Sequence, residues 1–309
     1  MIQRFLTFVG FSFLLMPVFL LLISGLFWLV GGHVNIMTFP IGIVLALISG
    51  SLLSYGQWIK LKQWLYIIGL LIFIGFLCFF LHDPAFDSNW YHQPSIYLLS
   101  HGWNPIYQHH SIHLMDDTAN MWIDHYAKGQ ETICATIVAL TGSMEVGKLG
   151  NFFLPISSFM FVILALHKFF NDWSTRKLWG ISFIIAFPPI VWNQLFSYYI
   201  DFNLYSIVIT AFCSFVLYKE KSIKFLLVFV SLLAMALSVK FNMCLWFGLL
   251  YIGFMIVFWV NGNRKMVFRI AGVGIVGVIV SVLTFSFNPY ITNTIDHSSP
   301  LYPLMGGAR

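Results

Sequence analysis

Charge is what this sequence has least of. Sixteen basic and 11 acidic residues make up 9% of a 309-residue chain, against about a quarter of a soluble domain. So few charges cannot cover a water-exposed surface, which excludes a soluble enzyme, and the apolar excess excludes a disordered tail. Cysteine is equally sparse: Cys78, Cys134, Cys213 and Cys244 are scattered, which excludes a disulfide scaffold and leaves them as small apolar fillers. The long apolar runs lack period-two alternation, which argues against barrel strands. A small-x-small cleavage site is missing after the first apolar segment, 5–31. That segment is also too long for a signal-peptide core, so it reads as a retained signal anchor.

What is abundant is apolar residues, 59% of the chain, and aromatics, 18%. Segments 64–82 and 267–287 are continuous apolar runs of about 20 residues, the length that crosses a hydrocarbon core of about 30 Å as helix. The fold class expected is all-α, a polytopic transmembrane helix bundle. The candidate spans are 5–31, 37–55, 64–82, 151–170, 178–197, 203–218, 225–239, 243–260 and 267–287, nine in all. They divide the chain into two N-terminal membrane helices (1–63), a membrane core (64–287) containing one long loop (83–150), and a tail (288–309).

Sorting charge by side orients these spans. With the N-terminus cytoplasmic, 12 of the 16 basic residues fall inside, and nine of the 11 acidic residues fall outside. This is the asymmetry of the positive-inside rule. The net charge of +5 therefore reflects insertion orientation and not a nucleic-acid partner. The expected location is a cell inner membrane, with loop 83–150 periplasmic or extracellular.

That loop holds seven of the acidic residues and, with the preceding His82, seven of the ten histidines. Long loops in compact proteins are commonly functional. Ser88 or Asn89 can cap a short helix ending at Gly102, and Trp90, Ile96, Tyr97, Leu98, Leu99 and Trp103 suit a helix lying on the bilayer surface. Segment 131–148 reads as a second interfacial helix or a re-entrant piece. Asp87 then sits beside a helix N-terminus, which favours its ionised form. It either accepts a proton from a substrate hydroxyl or simply caps the helix. Asp83 is the second candidate.

Other polar groups carry similar alternatives. His109, His113 and Asp116 have the ligand types for zinc or another divalent metal, although a polar loop accumulates such residues anyway. Lys240 interrupts an apolar run, and charge at membrane depth is a functional signal. It either pairs with a phosphate or snorkels to the interface. Asp201, with Tyr198 and Tyr199, can bind sugar hydroxyls and stack on a pyranose ring, or belong to an ordinary aromatic belt.

The run Phe86-Asp87-Ser88-Asn89-Trp90-Tyr91-His92-Gln93-Pro94, followed by Leu98-Leu99 and Gly102, resembles the start of the first large outer loop in bacterial GT-C class integral-membrane glycosyltransferases. Gly129-Gln130-Glu131, Thr141-Gly142-Ser143, Tyr198-Tyr199-Ile200-Asp201 and Asn288-Pro289-Tyr290 extend the resemblance over most of 64–305. It implies a polyprenyl-phosphate-linked sugar as donor, a glycan, lipid or protein acceptor, and Asp87 as general base. Asp83 is again second, with Tyr91, His92, Lys240, Asp201, Tyr198 and Tyr199 binding substrate. A divalent metal is possible but not required. Members commonly place the acidic loop after their first membrane helix, so spans 5–31 and 37–55 read as an addition. They are also commonly longer, which implies a reduced or C-terminally truncated form here.

The rival expectation is a transporter or lipid-glycan flippase without transferase chemistry. Such proteins bind substrate near the bilayer midplane, between repeats and broken helices. No convincing repeat is visible in this sequence, and its ionisable residues gather toward one face.

Overall fold

The computed structural model describes residues 2–56, 61–110, 114, 116–218 and 222–305. It is an all-α membrane helix bundle. In chain order, α1 (Ile2–Leu29), α2 (Thr38–Tyr55) and α3 (Leu61–Phe80) precede the long loop. The loop contains α4 (Gln93–Ser100), α5 (Asp117–His125), α6 (Gly129–Thr141) and the single turn α7 (Met144–Gly147). Then follow α8 (Phe153–Phe169), α9 (Thr175–Ala186), α10 (Pro189–Gln194), α11 (Phe202–Tyr218), α12 (Ser222–Val239), α13 (Phe241–Val260), α14 (Arg264–Leu283) and α15 (Phe287–His297).

Among the described residues, six helical segments are long and apolar enough to cross a membrane: α1, α2, α3, α7 through α8, α13 and α14. The apolar helices α11 and α12 are shorter. The expected span 178–197 is not one helix. Pro188 is extended (ψ 169°) and Pro189 occupies the first turn of α10, so the pair ends α9 and restarts the chain.

Burial sorts the helices into layers. α1 and α8 are the most enclosed, whereas α3, α13 and α14 turn most of their surface outward. Their outward faces carry Phe73, Phe76, Trp246, Ile256 and Phe268. Apolar exposure on this scale suits lipid and not water. Inside, association relies on small residues and side-chain hydrogen bonds, as is usual for membrane helices. A Cβ on Gly50 of α2 would stand 3.0 Å from the Ser12 backbone nitrogen of α1. Ser158 of α8 donates to the Ser206 carbonyl (3.0 Å) and shares a hydrogen bond with Thr210 (2.8 Å), both on α11.

The loop helices pack on one end of the bundle, the loop end. Asn104 ties the loop to the end of α1 by donating to the Trp28 and Gly32 carbonyls at 3.0 and 2.8 Å. Asn293 of α15 donates to the His125 carbonyl at the end of α5 (2.8 Å). At the opposite end His167 meets Gln3 (3.3 Å) and Lys168 donates to the Val216 carbonyl (2.9 Å).

The structure sharpens two expectations for the loop. The predicted interfacial helix is a five-residue π-helical turn, Ser88–His92, running directly into α4. Its apolar residues Ile96, Leu98 and Leu99 are buried in a cluster with Ile123, Ala135 and Val138 from α5 and α6. The second candidate, 131–148, read as an interfacial helix or a re-entrant piece, begins with α6, which is buried from Gly129 through Val138. A Cβ on Gly129 would lie 2.7 Å from the Ser238 carbonyl carbon, so the close approach of α6 to the end of α12 requires glycine there. Amphipathic patterning reports an apolar face but not whether lipid or protein covers it.

Candidate functional site at the loop end

The two candidate acids, four residues apart, have opposite environments. Asp83 is fully buried. Its Oδ1 accepts from the Ala85 amide (3.0 Å) and its Oδ2 from the Tyr198 amide (2.8 Å). Both oxygens are committed to holding the loop start against the segment before α11, so Asp83 is a structural tie. Asp87 is half-buried at the head of the π-helical turn, with helical φ and ψ of −61° and −32° and no capping hydrogen bond. The expected cap is absent because neither neighbour supplies it. Ser88 Oγ accepts from the Tyr198 amide (2.9 Å), and Asn89 Nδ2 donates to the Asp83 and Ala85 carbonyls. Among the described residues the Asp87 carboxylate has no hydrogen-bond or ion-pair partner. π-helical turns of this kind occur often at functional sites.

Aromatic rings cluster one turn further on. Tyr91, one turn on from Asp87, lies 5.9 Å from Trp122 and 6.5 Å from Tyr126 between ring centroids. Tyr126 in turn meets Phe241 edge-on at 5.1 Å. Burial pushes the Tyr91 phenol above its ordinary range, and the negative charges of Glu131, Asp87 and Asp201 add to the rise. Tyr126 is raised for the same reasons, burial first and then Glu131 and Asp201. The two phenols therefore share the field of Glu131 and Asp201, with Asp87 acting on Tyr91 as well, and both stay protonated at neutral pH.

Lys240 and Asp201 complete the constellation. Lys240 is the single extended residue (φ −158°, ψ 136°) between α12 and α13, which places it at the loop end as its sequence position implied. Its Nζ stands 2.5 Å from Asp201 Oδ1 just ahead of α11, with side chains 24% and 46% exposed. Read separately from sequence, these residues form a pair, and both stay accessible to a ligand. An apolar groove of about 720 Å³ runs between α11 and α13, from Leu204 and Trp246 to Phe215 and Val257. Leu204 and Trp246 lie within two helical turns of Asp201 and Lys240.

The remaining candidates do different work. His92 is buried, with Nδ1 2.5 Å from Glu131 Oε1, and Glu131 Oε2 is buried with no partner among the described residues. His92 thus sits behind Tyr91 and reaches no ligand directly. Tyr198 is buried and its hydroxyl donates to the Met144 carbonyl, which makes it a strut. Tyr199 is half-buried. Glu131 was not singled out from sequence as a site residue. The available signal was a carboxylate in an otherwise apolar stretch, Glu131 to Leu140.

A hydrogen-bonded core underlies these groups. Gln130 Nε2 donates to Asn151 Oδ1 (2.8 Å), Asn203 Nδ2 donates to Gln130 Oε1 (3.2 Å), and Asn151 Nδ2 donates to the Leu195 and Ser197 carbonyls. This locks α6 to the chain entering α11, and so fixes Glu131 relative to Asp201.

The expected metal trio was His109, His113 and Asp116. His113 lies outside the described residues. Asp116 caps α5 by accepting from the Thr118 amide (2.8 Å) and also accepts from Trp90 Nε1 (2.8 Å). His109 instead lies beside Asp124 and His125, which α5 brings to it from its far end.

No protein-family model, curated protein or solved structure matches this chain.

Proposed function

We propose that the protein is a membrane glycosyltransferase that moves a sugar from a polyprenyl-phosphate donor to an envelope glycan, lipid or protein acceptor on the outer face of a cell inner membrane. The observation that carries this reading is Asp87: a half-buried carboxylate with no partner among the described residues, within the same charged field as an aromatic platform and a Lys–Asp pair. Structural carboxylates in such a setting are normally hydrogen-bonded, as Asp83 is.

In the proposed reaction Asp87 takes the proton of an acceptor hydroxyl. The hydroxyl oxygen bonds to the anomeric carbon, and the bond from that carbon to the phosphate oxygen breaks. The polyprenyl phosphate departs with the electron pair. Lys240 answers the charge on the phosphate, sharing its ammonium with Asp201, so Lys240 acts as an electrostatic anchor and not as a proton donor. Tyr91, backed by the buried Tyr126, offers its face to the sugar ring, and the groove between α11 and α13 suits an isoprenoid chain. Because the leaving group is already a phosphate, positioning and charge stabilisation supply most of the catalysis.

Lipid extracts from cells lacking this chain test the reading. Accumulation of a polyprenyl-phosphate sugar, relieved by the wild-type chain but not by Asp87→Asn, is the expected result. Translocation of an unchanged lipid-linked sugar in proteoliposomes, with no transfer product, would replace it with the flippase reading.

A further inference from the structure

We propose that His109, Asp124 and His125 form a divalent-metal site of the zinc type, separate from the Asp87 constellation, that staples the loop layer together. One ligand atom from each residue lies within 4.8 Å of the other two. They converge from two places in the chain, the segment following Pro105 and the last turn of α5. The cavity they line is about 250 Å³, and α15 closes its other side with Asn288, Thr292 and Asp296.

The hydrogen bonds around the three residues leave ligand atoms free to meet an ion. Asp124 Oδ1 is committed: the His110 amide donates to it at 3.0 Å and His110 Nδ1 lies 2.8 Å away. That leaves Oδ2, which stands 3.3 Å from His109 Nδ1. Two ligands of a tetrahedral ion at about 2.0 Å each are separated by about 3.3 Å, so this edge has the required length.

His125 shows the same preparation. Both protons of Asn293 Nδ2 are used, donated to the His125 and Tyr302 carbonyls at 2.8 Å each. Asn293 Oδ1, 2.8 Å from His125 Nδ1, can therefore only accept. The proton lies on Nδ1 and the lone pair on Nε2, the tautomer found in metal-ligating histidines whose other nitrogen donates to a carbonyl.

Three protein ligands leave a fourth position, which water or the Asp296 carboxylate on the facing wall can take. A bound ion would join the segment after Pro105 to α5, and through Asp296 to α15. Tyr126 follows His125 directly, so the ion would also fix the aromatic platform.

The test uses the full chain, purified in detergent without a histidine tag, stripped with chelator and titrated with Zn²⁺ and then Co²⁺. Expected are one equivalent bound, a visible Co²⁺ absorption of tetrahedral type, and a higher melting midpoint in metal. His109 is 72% exposed, so His109→Ala should melt with wild type when metal-free yet bind about tenfold more weakly or worse. Asp116→Asn keeps a capping residue outside the cluster and should bind as wild type does. The proposal is overturned if the wild-type chain takes up no stoichiometric metal, if His109→Ala binds equally well, or if Asp116→Asn loses binding to the same extent. None of these readouts depends on glycosyl transfer.

Discussion

Replacing each of the two neighbouring carboxylates by its amide separates a structural acid from a reactive one. At Asp83 two backbone amides converge, one on each oxygen. Asparagine keeps one acceptor and turns the other into an NH₂ group, setting donor against donor in a site with no solvent access. Each hydrogen bond to a charged acceptor contributes about 1.5–3 kcal/mol. The Tyr198 amide retains Ser88 Oγ at 2.9 Å, which cushions part of the loss. Asp83→Asn should therefore cost about 2–4 kcal/mol. At roughly 2–3 °C per kcal/mol for a chain of this size, the melting midpoint in detergent should fall by about 5–10 °C. Asp87→Asn breaks no hydrogen bond among the described residues and should melt with wild type. Tryptophan-fluorescence melts of the three proteins decide the matter. If Asp83→Asn melts with wild type, or Asp87→Asn falls as far as Asp83→Asn, the assignment of roles is wrong.

Other outcomes follow from the same geometry. Lys240→Gln should lower kcat as well as raise KM for a lipid-phosphate donor, measured by varying donor in mixed micelles, because the ammonium meets a phosphate that is charged in the ground state and gains charge as it leaves. Gly129→Ala should destabilise the bundle by about 1–3 kcal/mol, read as a lower melting midpoint, since the new methyl group overlaps the Ser238 backbone. The Tyr91 phenol is raised above 10, so its contribution to stability is complete below pH 10 and is lost as pH climbs beyond it. Tyr91→Phe should flatten the alkaline fall of the melting midpoint, by about 1.4 kcal/mol per pH unit.

The membrane helices were legible because their signal is local. Runs of apolar residues specify a helix through backbone hydrogen bonding alone, and the break in 178–197 falls at two adjacent prolines, Pro188 and Pro189. The loop was less legible because its contacts are distant in sequence. α4 and α6 carry apolar faces that equally suit a bilayer surface, and only the fold shows that they cover each other and α5. Lys240 and Asp201 each stood out as charges in apolar surroundings, but 39 residues separate them, and no local pattern predicts the pairing. The metal-type ligands make the same point. His109 was grouped with its sequence neighbours His113 and Asp116, whereas the last turn of α5 delivers Asp124 and His125 to it. Asp83 and Asp87 looked alike as letters, and the backbone amides of Ala85 and Tyr198 tell them apart.

The central claim is that Asp87 is the base of a sugar-transfer reaction. Its most direct test is release of polyprenyl phosphate from a polyprenyl-phosphate sugar by purified wild-type and Asp87→Asn protein, compared at matched melting midpoints. General-base catalysis is worth about 10²–10⁴ in rate, so the account predicts that Asp87→Asn loses at least about a hundredfold in kcat with its fold intact. Turnover by a folded Asp87→Asn protein at the wild-type rate would contradict it.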